Sequence, residues 1–87
     1  MNSNAHPTTT LDQLPVKAVA TIRSIRGESP DHQSLRRRLM ELGFVPGEKV
    51  QILRRMLAGR GPLAVRVGTS TFAMRQLESS MIEVVPA

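Results

Sequence analysis

Apolar and polar residues alternate along much of this chain, and the alternation breaks at a few sharp points. From Val16 to Ile25, Val16, Ala18, Ala20 and Ile22 fall on one face of an extended strand, with Lys17, Thr21 and Arg23 on the other. Val19 and Ile25 depart from the two-residue period, which either a strongly bent barrel strand or a bulge accommodates. The period then changes. Leu35, Leu39 and Leu42 stand at i, i+4 and i+7 and predict a helix over about His32 to Leu42, with one narrow apolar stripe. Asp31 is the predicted N-cap. Gly43 sits just past the helix end, where glycine takes a positive φ at little cost, and Phe44 follows at the position that folds back on the last turn. Val45-Pro46-Gly47 has Pro and Gly where a type II turn needs them.

Extended patterns return at Glu48 to Met56, Leu63 to Val67, Thr71 to Arg75 and Met81 to Val85. In the first of these, Val50, Ile52 and Met56 point inward and Lys49, Gln51 and Arg55 outward. Leu57 to Pro62 reads as a flexible loop, Gly68-Thr69-Ser70 as a hairpin connection, and Gln76 to Ser80 as one helical turn. The predicted protein is mainly β, with one short helix and a further helical turn. Five short strands with tight connections favour a small closed or partly closed barrel, because closure hides sheet edges. Residues 1–10 are polar and Thr-rich and read as a disordered tail, leaving 11–87 as one domain.

Composition sharpens this. The chain has 87 residues and no cysteine, which removes disulfides, thiolate metal sites and cysteine nucleophiles and points to a reducing, cytoplasmic compartment. The first ten residues lack the basic and apolar regions of a signal peptide. No stretch reaches the roughly 20 apolar residues that span a bilayer. Net charge is +5, which favours an acidic partner: a protein face, a nucleic acid or an anionic membrane. Phe44 and Phe72 are the aromatic residues, and both lie in core-like patterns, so base stacking is poorly served.

The residues assemble no catalytic constellation. His6 and His32 are the histidines, and no Ser, His and acid triad can be built on them. Gly43 to Gly47 is too short for a phosphate loop and lacks its Lys. Glu28, Asp31 and His32 could at most hold a divalent transition metal weakly, adventitiously or as a bridge in a weak homodimer. No cofactor is required. The run Arg36-Arg37-Arg38 reads as a solvated basic helix face or as an electrostatic docking face extended by Arg54, Arg55 and Arg60. Leu53, Met56, Leu57 and Leu63 surround the glycine-rich loop and offer either core packing or an apolar groove. The candidate partner-binding residues are therefore Arg36, Arg37, Arg38, Arg54, Met56, Leu57 and Arg60.

At Arg38-Leu39-Met40-Glu41-Leu42-Gly43-Phe44-Val45-Pro46-Gly47 the chain resembles the FeoA family, small cytosolic components of bacterial ferrous-iron transport. That family carries Arg-Leu, two residues, Leu-Gly, an apolar residue, any residue and Pro-Gly before an apolar strand. Leu11 with Leu14, Ile22 and Ile25, Phe72 to Arg75, and Ile82 with Val84 extend the resemblance over Leu11 to Val85. The Thr-rich tail and the Gly68 to Thr71 hairpin depart from it. The resemblance implies an SH3-like small barrel, a non-enzymatic accessory or regulator of ferrous-iron uptake, and docking on the cytosolic GTP-binding part of the FeoB permease. It also implies a cytoplasmic protein, peripheral to the inner membrane through that partner. The same domain type occurs in metal-dependent repressors; no helix-turn-helix pattern precedes it here, which favours the transport accessory. The alternative is a basic small-barrel nucleic-acid-binding module, motivated by the charge and opposed by the scarcity of aromatics.

Overall fold

Two bulges and two glycine turns set the shape of this chain. The computed structural model describes residues 7–56 and 61–87. They form β1 (Thr9–Thr10), a 3-10 turn (Leu11–Gln13), β2 (Val19–Ile25), α1 (Pro30–Glu41), β3 (Lys49–Arg55), β4 (Leu63–Val67), β5 (Ser70–Met74), α2 (Gln76–Ser80) and β6 (Ile82–Pro86). The strands make one antiparallel sheet in the order β1-β6-β2-β3-β4-β5.

β2 begins at Val19, three residues later than its alternation predicts. Pro15 fixes its own φ, and Lys17 takes a φ of +76°, so the chain turns before it extends. Val16 is left 41% exposed. Of the two expected alternatives the bulge is present: the pairing with β6 shifts between Ile22 and Ser24, so Ile22 and Ile25 both reach the core. A second bulge, between Ile52 and Arg54 on β3, has no sequence forewarning. Val50 and Ile52 lie inside by simple alternation, and the bulge after them turns Arg54 outward. Arg55, expected to face solvent, is half-buried instead. Its Nη2 donates to the carbonyls of Asp12 (2.8 Å) and Leu14 (2.6 Å), fastening the 3-10 turn to β3. Met56 is half-buried rather than core.

α1 starts two residues before its predicted first residue. Ser29, not Asp31, is the N-cap, and its Oγ accepts from the His32 N–H at 3.3 Å. Pro30 takes the first helical position, where its missing N–H costs nothing and its φ is already helical. Asp31 lies in the first turn, favourably placed against the helix dipole. At the other end Gly43 adopts φ +111°, and two bonds close the helix: Gly43 N–H to Met40 C=O and Phe44 N–H to Leu39 C=O, each 3.0 Å. This reversal carries Phe44 into the core. Leu42 becomes the C-cap and stays 39% exposed, so the expected third member of the apolar stripe is outside. Four residues on, Gly47 (φ +92°) and the 3.1 Å bond from Glu48 N–H to Val45 C=O complete the predicted type II turn.

Thr9 and Thr10, assigned to the tail by the sequence, pair with Val84 and Glu83 as an added edge strand. The part of the predicted tail at residues 1–6 lies outside the described residues, as do Leu57 to Arg60. All the elements feed one core. Leu11 and Leu14 cap it, β2 to β6 line it, and Leu39, Phe44 and Met81 fill its ends. The Phe44 and Phe72 rings meet at 5.8 Å and 49°.

Candidate functional site

The connection from β2 to α1 runs back along the helix, and the two enclose an open groove of about 720 Å³. Its walls include Ile25, Gly27, Arg36, Arg37, Met40 and Val45, with Glu28 and Glu41 also lining it. Helical spacing explains the helix side: Gln33, Arg37 and Met40 stand at i, i+4 and i+7 and share one face. Leu35 and Leu39 occupy the opposite side and bind α1 to the core.

The arginine run is divided by this arrangement. Arg36 lies along the groove wall, its Nε donating to the Ile25 carbonyl at 3.0 Å. The side chain passes so close to Gly27 that a Cβ there would come within 2.9 Å of Arg36 Cδ and 3.0 Å of its Cβ. Arg37 lines the same groove from the next position, while Arg38 is exposed and is not part of it. Among the described residues the ion pairs are Arg26–Glu83 at 2.9 Å and Arg75–Glu78 at 3.6 Å; neither Arg36 nor Arg37 belongs to one.

Arg26, at the mouth of the groove, is held elsewhere. Its Nε and Nη2 both donate to Glu83 Oε2, at 3.1 and 2.9 Å, and Ser24 Oγ donates to Glu83 Oε1 at 2.9 Å. The Arg26 and Ser24 hydrogen bonds hold the Glu83 carboxyl below its ordinary pKa, against a smaller opposing effect of burial.

The other candidates fall away from this groove. Arg54 is the sixth of the seven residues of β3, toward the strand end opposite the one α1 feeds, and it is exposed beside Ala64. Met56 joins Pro62 through its backbone, at 3.1 Å. Leu57 and Arg60 lie outside the described residues. Glu28 and Asp31 are exposed and His32 half-buried; among the described residues no three His, Asp or Glu side chains are grouped to hold a metal ion. Phe44 is buried in the core and Phe72 packs against it in part, so Phe44 offers no base-stacking face and Phe72 only a partial one. Gly27, Met40 and Val45 are not among the candidate site residues that the sequence offered. The helical spacing of Arg37 and Met40 was readable; the approach of Gly27 to Arg36 was not, since it joins elements across a loop.

The fold belongs to the class of small SH3-like barrels and carries a partly basic, partly apolar recess. The model of the FeoA domain matches residues 9–86, and the chain belongs to the FeoA family. FeoA of Stenotrophomonas maltophilia, solved with zinc and described as a prokaryotic SH3-domain protein suggested to act as a ferrous-iron transport activating factor, is 37% identical. That match covers 87% of this chain and 88% of the other, with a TM-score of 0.79. FeoA of Chlorobium tepidum is 32% identical over 90% of this chain and 70% of its own, with a TM-score of 0.76. A manganese-dependent transcriptional repressor matches at 21% identity, over 95% of this chain and 44% of the repressor (TM-score 0.77), a likeness of fold alone. No curated protein matches the chain.

Proposed function

We propose that this chain is a non-enzymatic accessory of bacterial ferrous-iron uptake that docks on the cytosolic GTP-binding part of a FeoB-type permease and needs no cofactor of its own. Family membership across residues 9–86 carries the reading. Its relative from Stenotrophomonas maltophilia, suggested to be an activating factor for ferrous-iron transport, supports a role beside the transporter rather than as one. Consistently, no helix among the described residues is long and apolar enough to cross a membrane. The protein is then cytoplasmic and reaches the inner membrane through its partner. The docking surface has two components, the arginines of α1 and the β3–β4 end of the barrel around Arg54 and Met56.

Calorimetric titration of this chain into the permease's cytosolic domain tests the reading. Saturable binding is expected in at least one of the GDP-bound and GTP-bound states, weakening with salt as exposed charges are screened. Silence in both states at low salt overturns it.

A further inference from the structure

The groove beside α1 holds two guanidinium groups outside any ion pair among the described residues, and one of them is already fixed. Arg36 is oriented by its bond to the Ile25 carbonyl and by the bare backbone of Gly27 against its stem. Gly27 does not show a positive φ, so space for Arg36, rather than backbone conformation, is what a side chain there would take away. A guanidinium held in this way loses little rotamer freedom when it meets a carboxylate. Met40, 36% exposed, and half-buried Val45 supply an apolar floor beside it.

We propose that this groove receives an acidic segment of the docking partner, its carboxylates on Arg36 and Arg37 and an apolar side chain on Met40 and Val45. The inference rests on the docking reading above and names the part of the surface that selects the partner. Glu28 and Glu41 line the same groove beside Arg26, Arg36 and Arg37, so a carboxylate placed next to either of them is disfavoured and an uninterrupted run of negative charge fits poorly. The occupant is a segment whose acidic side chains are spaced by apolar ones. That pattern favours protein over nucleic acid, where every residue of the backbone is charged.

The test uses nitrogen-15 spectra of the full chain with two probes: a blocked peptide alternating Glu and Leu, and the permease's cytosolic domain. The peptide is expected to shift the amides of Gly27, Arg37 and Met40 and the Arg36 Nε–H signal. Arg37→Ala, which removes no hydrogen bond of the fold, is expected to weaken it about tenfold, the scale of one charged hydrogen bond. Gly27→Ala is expected to weaken it with all charges kept. The same peptide with Gln for Glu is expected not to bind. Absent shifts, equal binding of the Gln peptide, indifference to Arg37→Ala, or stronger response to a U-rich RNA would each overturn the proposal. If the cytosolic domain binds the Arg36→Ala/Arg37→Ala double variant as tightly as the parent, the groove assignment fails and docking stands. If the peptide binds and the domain does not, docking on the permease fails and the groove assignment stands.

Discussion

Glu83 shows how a single side chain can tie two neighbouring strands together. Its two oxygens take three hydrogen bonds from Ser24 and Arg26, on and just beyond the strand it pairs with. Because its pKa is lowered in the folded chain, the unfolded chain holds the proton more tightly. The resulting stability is complete above the ordinary carboxyl value of 4.5 and is lost as pH falls below it, through the depressed folded value. Glu83→Gln is expected to flatten that part of the stability profile and to cost about 0.5–1 kcal/mol at neutral pH, since Arg26 is more than half exposed. Urea midpoints from pH 7 down to pH 3 would show it; an acid limb as steep in the variant as in the parent would assign the effect to other carboxylates. Nothing in the sequence marks this trio, because Ser24 and Glu83 are 59 positions apart and only the bulged register brings them together.

At the scale of elements, most of the architecture was legible. Strands β2 to β6 and the helices α1 and α2 follow from alternation, helical spacing and glycine position, whereas β1 and the 3-10 turn do not. Boundaries were less so. The start of α1 was misplaced although Ser29-Pro30 carries the cap followed by proline at the first helical position. Ser29→Ala is expected to cost about 1 kcal/mol. Asp31→Ala, which removes only a favourable charge in the first turn, is expected to cost a few tenths. Thermal denaturation of the pair decides which residue caps the helix, and the reverse order would restore Asp31. The start of β2 slipped for another reason: Lys17 adopts a left-handed conformation that lysine does not advertise. Thr9 and Thr10, which read as tail, carry a strand whose partner, β6, lies at the far end of the chain.

For the whole molecule, Arg55 is the long-range tie that the hydrophobic pattern conceals. It spans 41 and 43 residues to two carbonyls of the N-terminal segment, where Leu11 and Leu14 cover the core. Arg55→Ala is expected to destabilise the chain by about 1–3 kcal/mol, leaving two carbonyls without their partner. Urea unfolding measures this, and hydrogen exchange should localise the loss to residues 9–14; unchanged protection there would refute the clamp. The candidate site was legible in part for a similar reason. Arg36 and Arg37 stood out as charge, but their separation from Arg38 and Arg54 depends on which helix face meets the β2–α1 connection, and no local pattern encodes that.

The two turns flanking Phe44 and Val45 have a consequence for chemical synthesis. A side chain added at Gly43 or Gly47 would meet no atom within 4 Å, yet both positions have positive φ. These sites therefore discriminate by handedness and not by bulk. A mirror-image alanine, whose preferred φ is positive, is free of the backbone strain that ordinary alanine would carry there, so the turn that delivers Phe44 to the core selects by stereochemistry.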